Sequence, residues 1–320
     1  MAAALAYEEI PPAADEVPGP VPAGALLGDL RTRLERRQLA YHADGLVGLP
    51  TGLPTVDQTL QGLQPGRVYL LAAPPKLGKT TVANAIAGHV AGRGVPVLYL
   101  SFEMAPEDLA EAHVCRLGRV SVTRTRAGML GAEELRRWEQ GAAALAALRP
   151  LYYQQGTTRT TLDAVATAIG ALRERHDARH PLLVVDYLQK WALAGGGYGD
   201  QRARVQTLSA QLTELAANEQ LPVLAIVSLS RTGYGERARG SSNIAALKAA
   251  GELEYVCSAV LFLREPEQSE VPPLSGGQPI LLDVALNRFG ESRAGIRLLL
   301  QRDYAEVGEM DWSSPDFVDS

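Results

Sequence analysis

Cysteine is nearly missing from this chain: there are two, Cys115 and Cys257, among 320 residues. Two thiols cannot build the cross-linked framework of a small secreted domain, so a reducing, cytoplasmic setting is expected. The five histidines are scattered, and no Cys/His cluster has zinc spacing, which argues against a structural metal. No apolar run approaches the length of a membrane span, and the stretch from Met1 to Glu9 lacks the charged and apolar regions of a signal peptide. Positive charge is in deficit too: 31 Lys and Arg against 36 Asp and Glu leave a net charge of −5. A protein of that balance does not coat itself onto nucleic acid. A small basic channel remains compatible with it, because only charge within about a Debye length, ~10 Å, is felt.

Core-forming residues are sparse at the chain ends. Residues 1–24 carry Pro11, Pro12, Pro18, Pro20 and Pro22 among alanines and acids, a composition that buries no core and predicts a disordered tail. Residues 25–45 place Leu27, Leu30, Leu34 and Tyr41 at helical spacing, with arginines mostly on the other faces. So narrow a stripe must dock elsewhere, either on the chain's own core or on a neighbouring subunit. Residues 46–308 have the composition of one globular domain. Residues 309–320 are acidic with two aromatics, Trp312 and Phe317, and read as a solvated end or a partner-binding peptide.

What is present is a phosphate-binding signature. Ala73-Pro74-Pro75-Lys76-Leu77-Gly78-Lys79-Thr80-Thr81 reads A-x-x-x-x-G-K-T, with Ala at the usual first glycine. An apolar strand-like run, Val68 to Ala72, precedes it, and the alanine-rich helical pattern from Thr80 to Ala87 follows. Strand, loop and helix are the context that the signature requires. The loop's backbone N–H groups and the helix start form a concave positive site for phosphate oxygens. In that reading Pro74 to Thr81 bind a nucleoside triphosphate, Lys79 reaches its β- and γ-phosphates, and the Thr80 hydroxyl ligates Mg²⁺.

Beyond the loop, apolar runs at 95–100, 151–153, 182–185, 221–227, 259–263 and 280–285 alternate with helical patterns at 106–117, 132–148, 161–176 and 205–215. This alternation predicts an α/β fold with a mostly parallel sheet covered by helices on both faces. Asp186 closes one of the strands, where an acid helps hold Mg²⁺. Glu103 follows another and stands near the γ-phosphate, either orienting the attacking water or capping the next helix. Arg231, Arg237, Arg239 and Lys248 collect positive charge between two strands of an acidic protein, the charge that a strand-contacting loop or a plainly solvated one would carry.

These elements together resemble replicative DnaB-type helicases. Thr51-Gly52-Leu53-Pro54, Asp57 and Gly62-Leu63, the phosphate loop, Ser101-Phe102-Glu103-Met104 and Asp186-Tyr187-Leu188-Gln189 stand in that family's order and spacing. The resemblance implies a RecA-like P-loop NTPase core, ATP and Mg²⁺ as cofactors, and a homo-oligomeric ring, expected to be a hexamer, moving on single-stranded DNA. It implies Glu103 as the catalytic glutamate, Asp186 as the metal-site acid, and Arg288 as an arginine finger serving the neighbouring subunit. Lys248 and Gly251, with Arg231 nearby, would then belong to a channel loop, and the helix at 25–45 to a linker between subunits. On the residues alone, the alternative for Arg288 is a surface arginine ending an edge strand.

Departures from the family pattern are Ser228 where it has Gln, Leu286 where it has Lys, and Lys-Ala for an Arg-Glu pair in the channel segment. Against that family the proline-rich tail is expected to stand where its members carry a globular N-terminal domain. The departures keep open a loading or regulatory factor with weak hydrolysis and no unwinding. A small-molecule kinase would have no use for Arg288.

Overall fold

The computed structural model describes residues 19–194, 201–229, 257–267 and 276–310. The chain divides into two compact units, Met1–Gly45 and Leu46–Ser320.

In the first unit a 3-10 turn at Ala23–Leu26 leads into helix α1, Leu27–Asp44, which ends at Gly45 in the left-handed conformation with φ 69°. Gly45 thereby closes the helix with a bond to the Tyr41 carbonyl, the ordinary use of glycine at a helix end. None of the residues of α1 is buried, and Leu27, Leu30, Leu34, Leu39 and Tyr41 are all exposed.

The second unit opens with helix α2, Pro54–Leu60, and a lead-in loop that Asp57 holds together. The Asp57 carboxylate accepts from Thr51 N at 2.7 Å, Thr51 Oγ1 at 2.8 Å and Gly52 N at 3.2 Å. Burial pushes the Asp57 carboxyl up from its ordinary value, against those hydrogen bonds.

Nine strands then form one sheet: β1 (Val68–Ala73), β2 (Val97–Ser101), β3 (Leu151–Gln155), β4 (Leu182–Asp186), β5 (Val223–Ser228), β6 (Ala259–Arg264), β7 (Gln278–Asn287), β8 (Arg293–Gln301) and β9 (Glu306–Glu309). Their order is β3-β2-β4-β5-β1-β6-β7-β8-β9. The six strands from β3 to β6 pair in parallel, and β7, β8 and β9 are added antiparallel, each beside the strand before it in sequence. The helices are α3 (Lys79–Gly92), α4 (Pro106–Gly118), α5 (Val122–Arg126), α6 (Ala132–Ala147), α7 (Leu162–His176), α8 (Leu188–Ala194) and α9 (Gln201–Asn218).

Alternation along β1 shows how the layers are built. Tyr69, Leu71 and Ala73 face a core shared with Val82 and Ile86 of α3 and Leu109 of α4. Val68, Leu70 and Ala72 face a second core with Ile169 of α7, Trp191 of α8 and Leu212 of α9. Strands buried on both faces read as unbroken apolar runs, which is why the parallel strands are visible in sequence. The expected α/β sheet with helices on both faces is observed. The expectation lacked β8 and β9 and the short helices α5 and α8. In β8 only Ile296, Leu298, Leu299 and Leu300 are buried, and exposed Arg293 and Arg297 interrupt the pattern. β9 contributes Glu309, whose carboxylate accepts from Thr55 N at 2.9 and 3.0 Å at the start of α2.

A buried polar chain ties the two helices that flank the phosphate loop's side of the sheet. Arg116 Nη2 meets His113 Nε2 at 2.8 Å, His113 Nδ1 meets Tyr153 Oη at 3.2 Å, and Tyr153 Oη donates to Asn84 Oδ1 at 2.7 Å. With the Tyr153 proton committed to Asn84 and the Nε2 site to Arg116, the neutral imidazole carries its proton on Nδ1. Gly88 lets α3 approach that ring, because a Cβ there would overlap His113 Cε1. Burial, with the Arg116 charge beside it, pushes His113 down to about 3 from an ordinary 6.5.

Between those two values the unfolded chain binds a proton that the folded chain refuses. The His113 contribution to stability is therefore complete above pH 6.5 and lost as pH falls toward 3. Urea unfolding across that window should show a loss of up to about 1.4 kcal/mol per pH unit from this residue. A His113→Asn protein, less stable overall, should have a shallower pH dependence there; an equal slope in both proteins would contradict the assignment.

Candidate functional site

β1 ends at the centre of the sheet, between β5 and β6, and its carboxyl end opens into the loop Pro74–Gly78. Lys76 (φ 66°) and Gly78 (φ 87°) take left-handed backbone conformations, which turn the chain sharply into α3. Glycine is required at position 78 for a second reason: a Cβ there would lie 2.8 Å from Leu300 Cδ2. Pro75 and Lys76 are exposed, whereas Leu77 is buried and anchors the loop in the core. Lys79, Thr80 and Thr81 form the first turn of α3, the positive end of its dipole.

The Lys79 ammonium spans the loop, donating to Ala73 O at 3.0 Å and Pro74 O at 2.9 Å. Burial lowers its pKa from the ordinary lysine value, and the Asp186 and Glu103 carboxylates oppose that shift. Thr80 Oγ1 donates to Asp186 Oδ2 at 2.9 Å, as does the Tyr99 hydroxyl, also at 2.9 Å. Asp186 is 1% exposed, and its other oxygen, Oδ1, is buried with no hydrogen-bond partner among the described residues. Burial raises the Asp186 carboxyl pKa, the Tyr99 and Thr80 bonds counter this, and Glu103 adds to it. The Tyr99 phenol is raised well above its ordinary value, first by burial and then by the Asp186 charge, so it stays a donor.

Glu103 follows β2, whose last residue, Ser101, is in register with Asp186 at the end of β4. Ser101 Oγ organises the turn, accepting from Met104 N at 3.1 Å and donating to Met104 O at 2.7 Å. The Glu103 carboxylate is exposed and lies 3.8 Å from Lys190 Nζ. Helix α4 begins at Pro106 behind Ala105, with Glu107 and Asp108 in its first turn and no side-chain cap. The geometry thus turns Glu103 toward Lys190 rather than onto the end of α4.

An oxygen-only donor set with one orphaned carboxylate oxygen and a hydroxyl beside a phosphate loop suits a hard cation such as Mg²⁺. Among the described residues no three His, Cys, Asp or Glu side chains group as a metal site, so such an ion would draw its remaining ligands from phosphate and water.

The family model for the DnaB-like helicase C terminal domain matches residues 48–307. The chain belongs to that family.

Similar curated proteins include the replicative DNA helicase DnaB of Leifsonia xyli, 26% identical over 87% of this chain and 59% of that protein. The Pasteurella multocida DnaB is 29% identical over 78% of this chain and 53% of its own length. The chain thus spans between half and three-fifths of these two relatives. Among solved structures, an isolated ATPase domain superposes with a TM-score of 0.76 at 18% identity, covering 91% of this chain and all of that one. A DnaB-like replicative helicase, described with its interactions with primase, gives 0.74 at 17% identity over 93% of this chain and 69% of that one. At such identities these two likenesses establish the fold.

In this DnaB-like domain Arg288 stands far from its own phosphate loop. β7 runs against β6, so Asn287 lies beside Ala259, where β6 starts, and Ala259 faces Tyr69 near the start of β1. The phosphate loop departs after Ala73, about 13 Å further along at strand rise. Arg288 is exposed at the opposite end of the strands, with N bonded to Ser258 O at 3.0 Å and Nε to Cys257 O at 2.8 Å. Beside it the Arg67 guanidinium stacks 3.4 Å from the centroid of the Phe289 ring. β7 is an interior strand, between β6 and β8, which corrects the edge-strand part of the alternative reading, whereas the surface exposure that reading expected is observed. Leu286, where the DnaB-like pattern has Lys, packs against the second core.

Ser228 pairs in register with Ala73, directly beside the root of the phosphate loop. Gln189 clamps its backbone, donating from Nε2 to Ser228 O at 3.0 Å and accepting from Ser228 N at 3.2 Å. Arg231, Lys248 and Gly251 lie outside the described residues.

Four contributors escape sequence reasoning. Tyr99 hides inside an apolar strand run, and nothing local marks its hydroxyl. Lys190 stands four residues after Asp186, a spacing that could flag it as a second cation of the site. Gln189 is legible as part of a motif, but its bond to Ser228 is not. Arg302, from the turn after β8, donates to Lys76 O at 2.5 Å and Gln278 Oε1 at 2.6 Å. It borders a 470 Å³ cavity beside the loop, walled by Gln278, Leu300 and Tyr304.

Proposed function

We propose that this chain is the ATP-hydrolysing motor of a replicative helicase of the DnaB type, working as a cytoplasmic ring, a hexamer in the first instance, on single-stranded DNA. Triphosphate would lie on the loop from Pro74 to Thr81, with Lys79 against its β- and γ-oxygens and the base in the cavity between Leu300 and Tyr304. Thr80 and Asp186 would hold Mg²⁺, which neutralises charge developing on the transferred phosphoryl group. Glu103, at the turn that Ser101 organises, would orient or deprotonate the attacking water. Arg288 completes the site of an adjacent copy, stabilising charge on the phosphoryl oxygens.

The observation that carries the reading is the separation within one chain: Lys79, Thr80, Glu103 and Asp186 gather at one end of the sheet, and Arg288 is displayed at the other. A subunit built this way needs a neighbour on each side. The exposed apolar stripe of α1 suits the same purpose, as a helix that docks on the next copy. Movement along DNA would then pass to Lys248, Gly251 and Arg231 through the end of β5, where Gln189 holds Ser228.

ATP turnover stimulated by single-stranded DNA, together with a ring mass that appears or sharpens with ATP, is the expected result. Lys79→Ala should abolish the turnover. Wild-type protein that stays monomeric and hydrolyses nothing with Mg²⁺ and DNA present would remove the reading.

Ser228 favours one alternative, an ATP-dependent loading or regulatory factor. A side chain shorter than Gln at that position reaches less far toward the γ-phosphate and weakens coupling between hydrolysis and motion. Such a factor would bind DNA and turn over slowly without separating a forked duplex, and an unwinding assay separates the two.

A further inference from the structure

We propose that Tyr99 is a positioning residue for the metal-site carboxylate, fixing which oxygen of Asp186 is offered to the cation; this rests on the nucleotide-site reading above.

Tyr99 stands in the middle of β2, in register with Val184 of β4 and Tyr153 of β3. Its side chain is fully buried in the layer that holds Val82, Ala83 and Ile86 of α3. Phenylalanine would fill that space with the same ring and no polar group to satisfy. A buried hydroxyl without an acceptor is destabilising, so its presence is tolerable only where the acceptor is secure. Here the acceptor is Asp186 Oδ2.

The two carboxylate oxygens are thereby made unequal. Oδ2 receives both Tyr99 and Thr80, whereas Oδ1 is buried and has no partner among the described residues. The terminal torsion of an aspartate is soft, so a single donor leaves its plane free to swing. Thr80 is a poor sole anchor because its own hydroxyl is wanted at the metal. Tyr99 comes from the interior of the sheet, behind the loop, and its bond does not depend on the loop's conformation. Mg²⁺ tolerates misplaced ligands badly, and outer partners of this kind typically change metal affinity about ten- to a hundred-fold.

The test measures metal uptake rather than turnover. With each protein in excess over a non-hydrolysable ATP analogue, Mn²⁺ is titrated and the free ion read by electron paramagnetic resonance. Tyr99→Phe should weaken Mn²⁺ binding roughly ten-fold or more, while analogue affinity in EDTA is unchanged. Tyr153→Phe removes a hydroxyl from the adjacent strand that bonds Asn84 instead, and should leave Mn²⁺ affinity alone. Mn²⁺ affinity in Tyr99→Phe within about two-fold of wild type, or the same loss in Tyr153→Phe, overturns the role of Tyr99 and leaves the site reading standing. Wild-type protein that binds no analogue overturns the site reading, and the role of Tyr99 with it.

Discussion

Arg288→Ala is expected to lower ATP turnover roughly a thousand- to a hundred-thousand-fold, the range by which an arginine finger accelerates phosphoryl transfer. That is about 4–7 kcal/mol of transition-state stabilisation. The loss should appear in kcat, with nucleotide binding little changed, because the guanidinium meets charge that develops only as the phosphoryl group transfers. Arg288→Lys should recover little, since an ammonium cannot reproduce the planar fork. The placement of Arg288 adds a sharper consequence. In the proposed ring each shared site would take Glu103 from one copy and Arg288 from the next, so two inactive variants should rescue one another. Mixed rings of Arg288→Ala and Glu103→Gln subunits would contain some interfaces with both wild-type groups, and turnover should exceed that of either protein alone. Rings of proven mixed composition that stay at the parental level would show that Arg288 does not act across an interface. A structural role, to which its bond to the Cys257 carbonyl contributes, would then explain it.

Glu103→Gln is the second large effect: turnover should fall roughly a hundred- to ten-thousand-fold, the contribution of a positioned general base. The substitution is close to isosteric, and the residue is exposed, so stability and ring assembly should hold. ATP should remain bound and unhydrolysed, which single-turnover measurements with labelled ATP would show directly. The ion-pair partner of Glu103 among the described residues is Lys190, at 3.8 Å, too distant and too solvated to make a structural bond of consequence. A variant that hydrolyses ATP at the wild-type rate would reduce Glu103 to the surface acid of that pair, and the water would need another base.

Much of this site can be read along the chain because its parts are local. The phosphate loop is eight consecutive residues, Pro74 to Thr81, whose shape depends on backbone conformation and on two positions, Lys76 and Gly78, with positive φ. The strands that deliver Glu103 and Asp186 are buried on both faces and therefore appear as apolar runs. β8 is harder: a strand that carries exposed Arg293 and Arg297 gives little apolar signal.

The order of the elements, the phosphate loop and the two carboxylates at strand ends are all written in the chain, since each depends on neighbours a few residues away. Which groups meet is a matter of the folded sheet. Tyr99 finds Asp186 from 87 residues away, and Arg302 closes on the loop carbonyl of Lys76 from 226. The reversal of β7 carries Arg288 to the end of the sheet opposite its own nucleotide loop. Hydrogen bonds and strand directions of that kind are set by pairing across the sheet, and pairing leaves no mark on the residues next door.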